Sequence, residues 1–183
     1  MVFSSLFFLF VFLPLILLIY FLVPHRLRNF ILFIGSLIFY AWGEPLYIFL
    51  MFFSIVINFA FGLLIEGHRN NKKITRPALF FVVVINAGLL GLFKYYDFIL
   101  QIVNNLQGTS FTGLDLPLPI GISFYTFQAL SYIVDVYRGK ATAQRNFMAF
   151  GTYIALFPQL IAGPIIRYQT ISAQLVQRKE GFA

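Results

Sequence analysis

Pro117-Leu118-Pro119-Ile120-Gly121-Ile122-Ser123-Phe124-Tyr125-Thr126-Phe127-Gln128, running on through Tyr132-Ile133-Val134-Asp135-Val136-Tyr137-Arg138-Gly139, is long enough to cross a bilayer and yet carries polar groups inside it. A carboxylate, hydroxyls and an amide are costly in hydrocarbon, so their presence argues for a role beyond spanning. At about 100° per residue, Ser123, Gln128, Ser131, Asp135 and Arg138 fall within an arc of roughly 140°. Ile122, Leu130, Ile133 and Val136 lie on the other side. Asp135 and Arg138 are three residues apart and can partly neutralise each other. Two readings fit them: a polar face turned to a bundle interior or watery cavity, or a structural pair that ends the helix near the inner headgroups.

The chain around this stretch excludes an ordinary soluble domain. Hydrophobic residues make up 60% of it, charged residues only 10%, and 25 of 183 positions are Phe, where soluble domains carry about a quarter charged. The net charge of +7 sits in short basic clusters between apolar runs. That pattern reads as an orientation signal and not as a nucleic-acid surface. With no cysteine, disulfides, thiol nucleophiles and Cys-based metal sites are excluded.

A membrane helix needs about 20 mostly apolar residues. On that measure the sequence predicts an all-α, polytopic membrane bundle with spans at 3–23, 30–42, 46–65, 77–93 and 119–137, of which 30–42 is short. The first run has no basic residue ahead of it and no small-residue cleavage site, so it reads as a retained helix. Residues 98–106, too short to span, are placed along the interface after Lys94-Tyr95-Tyr96-Asp97. Residues 147–162 carry Phe157-Pro158-Gln159 and end at Gly163-Pro164, which suits a broken, re-entrant helix or a packing kink. A second interfacial helix is expected over 165–179. Lys and Arg concentrate on the cytoplasmic side. An outside N-terminus then puts Arg26, Arg28, Arg69 to Arg76, Arg138, Lys140 and Arg145 inside, and Arg167, Arg178 and Lys179 with them if 147–162 turns back and does not cross.

The candidate functional residues are Gln128, Asp135, Arg138, Gln159 and Arg167, as polar lining or structural groups. His25 and His68 are the only histidines and both lie in basic loops, without the orienting partner and pocket a general base needs. No metal spacing, nucleophile elbow, phosphate loop or dinucleotide fingerprint is present.

Met1-Val2-Phe3-Ser4-Ser5, Phe39-Tyr40-Ala41-Trp42, Phe93-Lys94-Tyr95, the long motif from Leu118 to Gly139, and Phe157-Pro158-Gln159-Leu160-Ile161-Ala162-Gly163-Pro164-Ile165 occur in this order. In these features the chain resembles the membrane-bound O-acyltransferase family, most closely its bacterial alginate O-acetyltransferase branch. The resemblance implies a multi-pass enzyme of the bacterial cytoplasmic membrane that surrounds a funnel. It further implies transfer of acetyl groups from a cytoplasmic donor such as acetyl-CoA to an exported polysaccharide, with no other cofactor, aided by acetyltransferase partners outside the membrane. The family's characteristic histidines belong to a later half, and the sequence stops at Ala183 before them. The expectation is therefore an N-terminal portion, inactive alone, with no catalytic residue of its own. A transport or channel-like component and a non-catalytic scaffold of a polysaccharide-modifying complex are the alternatives. Membrane lipids are expected partners; nucleic acid is not.

Overall fold

The computed structural model describes residues 5–107, 117–162 and 167–176, apart from the side chains of Asp97, Gln107, Ile161, Ala162 and residues 173–176. Every regular element among the described residues is helical. A π-helical turn, Phe8–Phe12, leads into α1 (Leu13–Leu22). Then come α2 (His25–Gly43), α3 (Ile48–Gly67), α4 (Lys72–Gln107), α5 (Ile122–Tyr137), α6 (Phe147–Ala155), α7 (Phe157–Ala162) and α8 (Tyr168–Val176).

α3 and the Lys72–Tyr96 part of α4 are long and apolar enough to cross a membrane. Large apolar side chains also face outward, among them Phe10, Leu18, Phe49 and Phe80. α5 packs against α3 and α4 and also meets α6 and α8. Close approach of α3 and α5 depends on Gly62: a Cβ there would lie 2.5 Å from the Tyr132 hydroxyl oxygen. Phe8, Phe12, Phe39 and Phe157 form a separate aromatic knot, with centroids 5.3 to 5.7 Å apart. It ties the first helix and α2 to the start of α7.

Several element boundaries differ from the sequence expectation. The segment predicted over 30–42 is a longer helix, His25–Gly43, because its basic end is accommodated: Arg28 folds back over the Tyr20 ring at 5.0 Å, a cation–π contact that shelters the charge. The predicted span 77–93 and the separate segment 98–106 are parts of one continuous helix, Lys72–Gln107. Lys94-Tyr95-Tyr96-Asp97 lowers hydropathy but contains neither Gly nor Pro, the residues that most disfavour a helix interior. Pro77 lies in the second turn, so the carbonyl it leaves without a donor belongs to the exposed Lys73, near the water-facing end where the loss is least.

The motif helix starts at Ile122 and not at Pro119, because Gly121 adopts φ 75°, a left-handed conformation that terminates the Pro-rich turn and is open to glycine. The break in 147–162 is present, at Leu156, whose ψ of 113° separates α6 from α7. Pro158 is then the second residue of α7, where its missing N–H costs little. α8 lies within the predicted 165–179 segment, of which 165–166 and 177–179 are outside the described residues.

Candidate functional site

The break between α6 and α7 leaves backbone groups without intrahelical partners, and side chains from other helices meet them. The Phe157 N–H donates to Ser36 Oγ of α2 at 3.4 Å. Gln128, buried on α5, donates from Nε2 to the Tyr153 carbonyl at 2.7 Å and to Gln159 Oε1 at 3.2 Å. The structure therefore brings together Gln128 and Gln159, two of the residues singled out from the sequence. It also shows why they belong together: an amide reaches a broken helix and uses both of its hydrogens.

Asp135 and Arg138 behave otherwise. Arg138 is exposed and forms no ion pair with Asp135, which is half-buried. One carboxylate oxygen of Asp135, Oδ2, is buried without a hydrogen-bond partner, as is the Tyr125 hydroxyl. The partial neutralisation expected from their spacing is not formed. Arg138 is the C-cap of α5, where the helix ends and its side chain turns to the surface. Arg167 is exposed just ahead of α8.

Most of the polar arc of α5 lies on the less covered side of the helix. The deeply buried side chains are Ile122, Tyr125, Thr126, Ala129, Tyr132, Ile133 and Val136, the side that includes most of the apolar residues. Ser123, Ser131 and Asp135 are only half-buried, on a side shared with exposed Phe124 and Phe127. Gln128 stands at the boundary between the two.

Both ends of the motif are held by glutamates that sequence reasoning passed over. Glu44, the C-cap of α2, accepts from the Ile120 N–H at 2.9 Å. Glu66, near the end of α3, accepts from the Ala143 N–H at 3.0 Å. Beside it Arg69 Nη2 donates to the Ala141 carbonyl at 3.2 Å and the Val136 carbonyl at 3.4 Å. Such charge-assisted bonds to backbone are stronger than neutral ones. The position of each acid at a helix end just ahead of a loop was the available signal.

Between these clamps runs a relay of phenols and amides. Tyr132 accepts from the Gln144 N–H at 3.1 Å, and the Gln144 side chain donates to the Tyr168 hydroxyl at 3.2 Å. Burial pushes the Tyr168 phenol above its ordinary pKa, so it stays neutral. Asn146 caps α6 by accepting from Met148 and Ala149 N–H. Elsewhere Asn58 of α3 and Asn86 of α4 exchange amide hydrogen bonds at 3.1 and 3.0 Å. Lone amides in long apolar runs were the signal for that pair. His25 and His68 are both exposed, and no group of His, Asp or Glu able to hold a metal occurs among the described residues.

Comparison with known proteins supplies relatives. Over 182 residues the chain is 40% identical to the probable alginate O-acetylase AlgI of Pseudomonas aeruginosa, covering 97% of this chain and 35% of that protein. It is 41% identical to the namesake of Azotobacter vinelandii, covering 97% and 36%. It is 30% identical to the peptidoglycan O-acetyltransferase of Helicobacter pylori over 211 aligned positions, covering 100% and 40%. The chain thus spans about 35 to 40% of the length of the curated relatives it matches. No family model matches the sequence, and no solved structure matches it.

Proposed function

From the premise that the chain is related, over nearly its whole length, to bacterial O-acetyltransferases, we propose that it forms part of the membrane wall of an acetyl-transfer pathway. In this reading it belongs to a multi-pass helical bundle of the bacterial cytoplasmic membrane with its N-terminus outside. α6 and α7 form a broken, re-entrant segment that enters from the basic end. The complete enzyme moves acetyl groups from a cytoplasmic donor such as acetyl-CoA to an exported polysaccharide, alginate or a similar polymer, and works with acetyltransferase partners outside.

The observation that carries the reading is the open side of α5. Ser123, Ser131 and Asp135 are only half-covered by this chain. Left against lipid, such groups would be costly, so they face a passage or further protein. Side placement supports the orientation: Arg69 bridges the loop after α3 to the loop after α5, so the basic loops share one end. Glu44 meets Ile120 at the other.

In this reading Gln128, Gln159 and Asp135 shape and polarise the wall, and the proton-transferring base is supplied elsewhere in the enzyme. Because the chain has no cysteine, a single introduced thiol reports its surroundings. Ser131→Cys in membranes is expected to react with a water-soluble, membrane-impermeant maleimide, and Leu18→Cys on the outward apolar face is not. Equal inertness of the two would refute a polar passage beside α5. The 183 residues alone, reconstituted with labelled acetyl-CoA and acceptor, are expected to give no transfer above a protein-free control; clear turnover would sink the assignment.

A further inference from the structure

At the end of the bundle where α3 passes into α4 and α5 runs out, cations gather with little to neutralise them. Lys72, Lys73 and Arg76 open α4, while Arg138, Lys140 and Arg145 follow α5, and all of them are exposed. The two loops make one surface, because Arg69 lies across Gly139 and is bonded to Val136 and Ala141. Glu66 has its carboxylate turned to the Ala143 N–H, and Asp135 has one oxygen buried. Among the described residues, none of the exposed cations is paired with a carboxylate.

For Lys72 and Lys73, in the first turn of α4, the position is electrostatically unfavourable for the fold itself. The first turn of α4 contains no acidic residue, and cations at a helix N-terminus oppose the positive end of its dipole. An external anion reverses that cost. The neighbouring surface identifies what kind of anion. Phe80 lies one turn beyond Arg76 on the same helix face and is 64% exposed, and Phe81 and Ile74 are exposed as well. A ligand matching this surface carries phosphate at one end and hydrocarbon at the other.

We propose that the basic surface formed by the α3–α4 turn and the α5–α6 loop binds the headgroup phosphate of anionic phospholipid, with the acyl chains along Phe80 and Phe81 of α4. The inference rests on the membrane reading above. Juxtamembrane basic clusters gain attraction from each cation near an anionic leaflet. Arg69 is the internal brace of the site, and the residues around it make the lipid contact.

The test uses the protein in detergent, with dioctanoyl phosphatidylglycerol and dioctanoyl phosphatidylcholine as probes and bound lipid counted by native mass spectrometry. Wild type is expected to retain the glycerol lipid in preference to the choline lipid. Lys72→Gln/Lys73→Gln/Arg76→Gln is expected to weaken that retention by about tenfold or more, and Arg138→Gln/Lys140→Gln to do the same by a smaller factor. Lys94→Gln should change nothing. Circular dichroism identifies any variant that misfolds, and the other variant then decides. Equal retention of both lipids, or retention unchanged in the folded variants, overturns the proposal. So does displacement of the glycerol lipid by 3′-phosphoadenosine 5′-diphosphate, which would make a soluble phosphate the ligand. Carbonate extraction from neutral phosphatidylcholine vesicles separates the two readings. Release of the chain sinks the membrane assignment, while firm retention without anionic preference sinks only this one.

Discussion

Replacing Asn86 by Leu should destabilise the bundle, and replacing Asn58 by Leu as well should restore much of the loss. Each amide donates across the helix pair, at 3.1 and 3.0 Å, and also back to its own helix, Asn58 to the Ser54 carbonyl at 2.8 Å and Asn86 to the Val82 carbonyl at 2.7 Å. Both side chains are fully enclosed. The single substitution removes two interhelical bonds, each worth about 0.6 kcal/mol on average in a membrane protein. It also leaves the Asn58 carbonyl oxygen buried without a donor, which costs about 1 to 3 kcal/mol. The expected loss is therefore about 2 to 4 kcal/mol. In the double variant the orphaned atom is gone and leucine suits the surroundings, so most of that loss should disappear. Unfolding in mixed micelles, followed by circular dichroism across the four members of the double-mutant cycle, measures the coupling. If the double variant falls by the sum of the singles, the two amides do not act as a pair and the reasoning is wrong.

Gly62→Ala puts a methyl group against the Tyr132 hydroxyl and should cost about 1 to 3 kcal/mol through overpacking, visible as a lowered unfolding midpoint. Glu66→Ala removes the acceptor for the Ala143 N–H. A loss of about 1 to 3 kcal/mol is expected, with faster proteolysis of the 138–145 loop as a second readout. Gln128→Leu in the complete enzyme strips both partners from the α6–α7 break and should reduce acetyl transfer by about tenfold or more while a folded bundle remains. That size follows from misplacement at a positioned site. Gln128→Glu, which keeps the length but not the donors, should fail as well, and full activity in either variant would remove Gln128 from the wall.

Helical character was legible from long apolar runs, and the broken helix from Phe157-Pro158; Gly163-Pro164 lies outside the described residues. The Gln128–Gln159 contact was legible only as two suspicious amides, because their meeting depends on α7 packing beside α5. The separate interfacial segment over 98–106 was misread for a definite reason. A hydropathy minimum at Lys94 to Asp97 resembles a membrane boundary, but a helix ends where its backbone geometry is interrupted, and nothing there interrupts it. The partners of Glu44 and Glu66 could not be read from the sequence, since each acts on a backbone N–H more than seventy positions away.

By itself the sequence determined the composition for hydrocarbon, the succession of helices and the motifs that align with O-acetyltransferases. Those properties are local: they depend on runs, spacing and residue types along one strand of chain. Only the tertiary structure decided which side of α5 turns inward, and it left Gln128 of the polar arc buried at the boundary. Periodicity separates Ser123, Ser131 and Asp135 from Ile122, Ile133 and Val136, but it does not say which group meets α3. Tyr125 and Tyr132 settle the matter by lying on the apolar side. Their large rings fill the space against neighbouring helices, with Tyr132 against Gly62, and the polar arc of the motif is left to face outward.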